Sequence, residues 1–255
     1  MDLELREKVV LITGGSDGLG LALASRLVGE GARVAVCSRD DERLRVAQEQ
    51  LGTDALCYRA DVTKEGELDG FVEAALARFG RLDGVVNNAG RSDAVSIATS
   101  NDQQWRDDYE LKVIAALHLS RATIEPLAAS RGAVLNVLAI RARTPGSGST
   151  PTSASRLAGL ALTKALAGEV APRGVRVNAI LIGLVESGQW VRRAAAAGLS
   201  AEEFYQKMVT DNEIPLGRVG RAEEFADLAA FLLSSRASYI TGAAVSLDGG
   251  LSPVI

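Results

Sequence analysis

The residues best suited to chemistry stand near the start of this 255-residue chain. Thr13-Gly14-Gly15-Ser16-Asp17-Gly18-Leu19-Gly20 follows the apolar run VVLIT (9–13) and opens a helical pattern. Glycines at this spacing let the backbone turn sharply and approach a pyrophosphate, while the helix N-terminus offers unpaired N–H groups and the positive end of its dipole. A glycine-rich turn by itself is only a tight turn; between a strand and a helix it predicts dinucleotide binding. Metal chemistry lacks such a signal, because His118 is the sole histidine and neither Cys-x-x-Cys nor His-x-x-x-His spacing occurs, so no metal site is expected. Cys37 and Cys57 read as small buried hydrophobes, with a redox pair as the alternative.

A phosphate-binding turn needs a strand and a helix to carry it, and the chain supplies several of each. Short β-branched runs at 9–13, 34–37, 55–58, 84–87, 133–137, 175–180 and 244–247 alternate with helical patterns near 19–29, 41–51, 65–79, 102–129, 153–171 and 222–234. Strands that are apolar on both faces and joined by helices imply a parallel sheet covered on both sides. The reading is a single-domain α/β Rossmann fold over 1–255, a doubly wound seven-stranded parallel sheet. Residues 187–216 carry two further helical patterns with no strand between them, which predicts a substrate-lid insertion. The Gly/Ser-rich stretch 144–153 predicts a loop beside the cleft.

The turn resembles the TGxxxGxG fingerprint of the short-chain dehydrogenase/reductase family. Asp61-Val62, Asn87-Asn88-Ala89-Gly90, VRVNAI (175–180), GRVGRAEEFADLAAFLLS and ITGAAVSLDGG extend the resemblance over nearly the whole chain. It implies a cofactor track through Gly14, Ser16, Asp17, Gly18, Leu19 and Gly20, continuing through Asp61, Val62, Asn88, Ala89 and Gly90. Val185 and Ser187 would face the nicotinamide carboxamide. The end of the second strand faces the adenosine ribose, and there Ser38-Arg39 offers a hydroxyl and a guanidinium in place of a carboxylate, which favours NADP over NAD. Asp17, Asp40 and Asp41 argue the other way.

Against that cofactor track stands a dismantled proton-transfer site. The family protonates its substrate with a Tyr in a Tyr-x-x-x-Lys helix start, assisted by a Ser thirteen residues earlier and an Asn on the preceding long helix. Here those positions hold Thr152, Arg156, Ala139 and Lys112, in an ungapped register. A threonine hydroxyl is far less acidic than a phenol of pKa about 10, and Ala139 offers no hydrogen bond. Arg156 is expected to keep the ribose contact of the family's Lys. Lys112 is the best remaining proton donor, its pKa lowered by burial beside Arg156; the alternative is that it reaches solvent or pairs with Glu110 or Asp108. The chain also resembles other family members that carry the same Leu-Lys, Thr-Ser-Ala-x-Arg and Gly-Leu-Val-Glu-Ser-Gly-Gln-Trp stretches, which implies a divergent subgroup.

Composition bounds the rest. A net charge of −4, with no basic block longer than Arg192-Arg193, gives no footprint for nucleic acid or anionic membranes. Residues 1–8 lack a signal-peptide pattern and no apolar run spans a bilayer, so a cytoplasmic protein is expected. Arg192-Arg193 reads as a solvated helix face. His118, Trp105 and Tyr109 read as packing or subunit contact, and the resemblance implies a homodimer or homotetramer. Two functions stay open: an NADP-dependent oxidoreductase on an unnamed small carbonyl or alcohol with an atypical proton donor, or a catalytically silent nucleotide-binding sensor or partner subunit.

Overall fold

Strands apolar on both faces need helices on both faces, and the computed structural model, which describes residues 1–254, is built that way. Parallel strands β1 (Val9–Thr13), β2 (Arg33–Ser38), β3 (Leu56–Arg59) and β4 (Gly84–Asn87) share one sheet with β6 (Ala133–Ala139), β8 (Arg176–Ile182) and β9 (Ala244–Leu247). Their order is β3-β2-β1-β4-β6-β8-β9, so the chain reverses direction across the sheet between β1 and β4. In such sheets ligands bind outside the carboxyl ends of the strands at that reversal.

One face is covered by α1 (Gly18–Gly29), α2 (Asp41–Leu51) and α9 (Ala222–Leu233), which bury Leu23, Leu27, Leu44 and Phe225 against it. The other face carries α3 (Glu67–Phe79), the long helix formed by α4 (Asp102–Tyr109) and α5 (Ala115–Ser130), and α6 (Thr152–Val170). Phe71, Leu119, Leu127 and Leu166 fill that side. Between α4 and α5 the helix makes one π-helical turn, Glu110–Ile114, with Lys112 at its centre. Between β8 and α9 lie α7 (Gly188–Ala196) and α8 (Ala201–Asn212). No helix among the described residues is long and apolar enough to cross a membrane.

Two short strands have no counterpart among the expected elements. β5 (Ala94–Val95) pairs antiparallel with β7 (Thr150–Pro151), joining the loop after β4 to the start of α6. Two-residue strands carry no period to detect, and their pairing depends on chain segments more than fifty residues apart.

Cys37 is fully buried at the end of β2, where burial pushes its thiol up to about 12, and Cys57 is half-buried on β3; both are free, as small hydrophobes would be. At the opposite end of the sheet from the cleft, the buried Asp83 carboxylate accepts from Val9 N at 3.0 Å, Lys8 Nζ at 3.2 Å and Arg81 Nε at 2.8 Å. Burial alone would raise this carboxyl, but these donors outweigh it and hold it below the ordinary Asp value. A depressed folded-state pKa contributes stability that is present above the unfolded value and lost as pH falls through the folded one. Asp83→Asn is therefore expected to lower stability by about 1–3 kcal/mol at pH 7, with the difference from wild type shrinking below pH 4, as read by urea unfolding at several pH values.

Candidate active site

The turn between β1 and α1 takes its shape from glycines at positions that disfavour a side chain. Gly14 and Gly18 have positive φ (+63° and +54°), and a Cβ on Gly20 would run into Gly14 O, with Asn88 Nδ2 2.6 Å away. Asn88 braces the turn from β4, its amide donating to Thr13 O at 2.9 Å and Gly14 O at 3.1 Å. The turn thus opens onto a cleft of about 1010 Å³ that runs along the carboxyl ends of the strands. That space matches the upper end of small-molecule and cofactor pockets.

Most of the residues expected to hold a cofactor line this cleft. From the turn come Gly14, Ser16, Asp17, Gly18 and Leu19; from the end of β2, Ser38 and Arg39; after β3, Asp61 and Val62. Asn88, Ala89 and Gly90 follow from β4, and Val185 and Ser187 from the segment after β8. Gly20 stays out of the cleft, packed beneath the turn.

The Asp17 carboxylate, expected to stand against a phosphate, is instead bridged by two arginines. Arg192 Nη1 on α7 lies 2.9 Å from Asp17 Oδ2 and Arg43 Nη1 on α2 lies 3.6 Å from it. Arg192 and Arg193 are both exposed on α7, as a solvated face would be, and they also make contacts: Arg192 ties α7 to the glycine-rich turn, and Arg193 stacks over Trp190 at 4.9 Å. Sequence reasoning missed Arg43. Its spacing from Asp40, three residues along α2, reads only as a local helix pair, which it also makes at 3.2 Å.

At the other end of the cleft, Thr152 begins α6, with Arg156 one turn on. Lys112 comes from the π-helical turn and is buried, its side chain fully screened from solvent. Of the alternatives for Lys112, the carboxylate pairing is realised, with Asp108 and not Glu110, and Nζ also donates to Thr152 Oγ1 at 2.9 Å. The second Asp108 oxygen accepts from Ser155 Oγ at 2.5 Å, so one buried carboxylate joins the long helix to the first turn of α6. Burial pulls the Lys112 ammonium down to about 8, Arg156 adds to the drop, and Asp108 and Asp93 oppose it.

Arg156 is held by a different set of contacts. Its Nη1 donates to Val137 O at 2.6 Å, while its Nε is buried with no partner in the protein. Burial lowers this guanidinium to about 10, with Asp108 countering, so it stays charged at neutral pH. Beside it lies a cavity of about 20 Å³ lined by Lys112, Arg156, Asn87 and Asn136, room for a single water. Ala139 ends β6 at the cleft wall without a polar group, and Ser149 and Ser153, which bond each other at 2.7 Å, supply no substitute there. His118 is exposed on α5, away from Lys112. Among the described residues no group of His, Cys, Asp and Glu is arranged to hold a metal.

Comparison with known proteins agrees with this geometry. A family model described as enoyl-(acyl carrier protein) reductase matches residues 14–252. An uncharacterised oxidoreductase of Mycobacterium bovis is 36% identical over 255 residues, 96% of this chain and 97% of that protein. A short-chain oxidoreductase from Pseudomonas aeruginosa PAO1, described as containing an atypical catalytic center, superposes in its NADPH-bound form with a TM-score of 0.92 at 37% identity, covering 98% of both chains. L-sorbose reductase from Gluconobacter frateurii, complexed with NADPH and L-sorbose, superposes at 0.93 with 31% identity over the whole of both chains.

Proposed function

The chain belongs to the short-chain dehydrogenase/reductase family, and on that premise we propose that it is an NADP(H)-dependent oxidoreductase of a carbonyl or alcohol whose proton comes from Lys112. The observation that carries this reading is the joining of two features in one cleft: a phosphate-ready turn at one end, and at the other a threonine hydroxyl backed by a buried lysine. A decayed site would have no reason to keep Asp108 and Lys112 paired in the interior, where two desolvated charges are costly.

The residues present fit a phosphorylated dinucleotide. The Gly14–Gly20 turn and the N-terminus of α1 would take the pyrophosphate, and Ser38 with Arg39 the 2′-phosphate, a charge that NADP has and NAD lacks. Arg39 is largely exposed and faces Asp61 only at 3.9 Å, which leaves its donors available. Arg43 would add a second cation once drawn from Asp17. Arg156 would meet the nicotinamide ribose, and Val185 and Ser187 the carboxamide, with the 187–216 segment serving as a lid over the substrate. When bound, NADPH supplies the hydride.

The protein's own groups do the remainder. Lys112 stores the proton, Asp108 and Ser155 fix its position, and the N-terminus of α6 adds positive potential where charge develops on the substrate oxygen. The exposed side of α6, which carries Leu157, would serve the contact of a homodimer or homotetramer, and the setting would be cytoplasmic.

Purified protein assayed by nucleotide fluorescence and by NADPH oxidation against a broad carbonyl panel tests the reading. Tight NADPH binding with turnover of at least one carbonyl is expected; binding with no turnover of any would favour the silent, sensory alternative. The coenzyme assignment has its own test. Arg39→Ala with Arg43→Ala is expected to weaken NADPH about 10–100-fold, the loss of one or two charge-assisted contacts, and to leave NADH affinity within a few-fold. Equal weakening of both would show that neither arginine reads the phosphate.

A further inference from the structure

We propose that the Thr152 hydroxyl, not the Lys112 amine, is the group that touches the substrate oxygen, handing its proton outward while Lys112 refills it from behind. The inference rests on the reductase reading above and assigns the order of the transfer.

Accessibility gives the first argument. Thr152 lines the cleft, whereas the Lys112 side chain is fully buried and has no place on the cleft wall. Of the two, Thr152 is the one that stands on the cleft wall where a substrate would lie.

Hydrogen-bond arithmetic gives the second. A threonine hydroxyl has two acceptor lone pairs and one hydrogen. Thr152 Oγ1 accepts from Lys112 Nζ at 2.9 Å and from the Asp93 backbone N–H at 2.9 Å. Both lone pairs are taken, and among the described residues no protein group accepts the remaining hydrogen. A hydroxyl so constrained is a fixed donor facing the cleft, pre-organised for an oxygen that becomes negative. The small β5–β7 sheet holds this arrangement, since pairing of Ala94 with Pro151 sets Asp93 N opposite Thr152.

The step balances as follows. The hydride adds to the carbonyl carbon, the C=O π pair moves onto oxygen, and that oxygen forms a bond to the Thr152 hydrogen. As the Thr152 O–H bond breaks, its oxygen takes a proton from Lys112 Nζ, leaving a neutral amine that water reprotonates. No free threonine alkoxide accumulates, which removes the objection that an alcohol is too weak an acid. Asp108 and Ser155 act as positioning residues, aiming Nζ at Thr152.

The experiment compares Thr152→Val with Thr152→Ser. Valine keeps the β-branched shape and removes the hydroxyl; serine keeps it. For a carbonyl that the wild-type protein reduces, Thr152→Val is expected to lower single-turnover NADPH oxidation about 100-fold with nucleotide affinity unchanged, and Thr152→Ser to stay within about five-fold of wild type. A second readout is independent of turnover. In protein with ¹³C-labelled lysine, the Lys112 ε-carbon, assigned through Lys112→Met, is expected to titrate at lower pH in Thr152→Val, which has lost an acceptor for the ammonium, and near the wild-type midpoint in Thr152→Ser. Undiminished turnover in Thr152→Val, or a Lys112 titration indifferent to it, overturns the relay. A wild-type protein that binds NADPH yet reduces no carbonyl overturns the reductase reading itself.

Discussion

Lys112→Met is expected to lower carbonyl reduction about 10²–10⁴-fold, the usual cost of losing a positioned general acid, while NADPH affinity changes little. Methionine suits the test because it fills a buried, unbranched site without placing a charge there. Lys112 is faced by Asp108 from α4, by Thr152 and Arg156 from α6, and by Asp93 from the loop after β4. Burial and Arg156 bring its ammonium down to about 8 against the carboxylates. A proton donor with that value is half depleted there, so kcat/KM for reduction should fall as pH rises past about 8. The oxidation direction needs the neutral amine and should rise over the same interval. In Lys112→Met that inflection should vanish from both profiles. A variant that keeps its rate, or a profile that keeps its inflection, would remove Lys112 from the chemistry.

How much of this was legible in the sequence depends on the distance over which each feature is made. The seven sheet strands are legible because each is a short local run of mostly apolar residues, β-branched in all but β3: VVLIT is β1 without a residue's error, and AVSL is β9. The glycine-rich turn is legible for the same reason, all of its signal lying within eight residues. The 102–129 helix reads correctly as a long helix, but its π-helical turn at Glu110–Ile114 does not, because nothing in residue type marks the extra residue in that turn. That turn is where the buried Lys112 stands.

Partners across the fold were the hardest to foresee. Asp108 was visible as one of two carboxylates near Lys112, and choosing between it and Glu110 required the packing of α6, which brings Ser155 to its second oxygen. The link between Arg192 and Asp17 spans 175 positions and has no local signature at all. Likewise, Thr152 could be compared with a tyrosine by acidity from sequence alone, and on that comparison it fails. The role proposed for it depends on two donors supplied by segments 40 and 59 residues away.

Asp108→Leu is expected to be the most damaging single change to stability, about 3–5 kcal/mol, because it strands a buried cation. The carboxylate is nearly fully buried, accepts from Lys112 and Ser155, and offsets the buried charges of Lys112 and Arg156 more closely than the half-buried Asp93 does. Without it the Lys112 pKa should fall below its wild-type value, and the sign of the pH dependence follows. Over the interval between that lowered value and the ordinary 10.5, the unfolded chain binds a proton that the folded protein does not, so stability should rise with pH. Urea unfolding of Asp108→Leu should therefore show partial recovery from pH 7 to pH 10. The double variant Asp108→Leu with Lys112→Met removes both charges and should recover most of the loss at pH 7, since a buried ion pair exchanged for apolar groups of similar volume is often neutral or stabilising. If the double variant is no more stable than the single one, the damage lies in packing around Ser155 rather than in the stranded charge. If it recovers stability yet stays inactive, the ion pair is retained for proton transfer at no benefit to the fold.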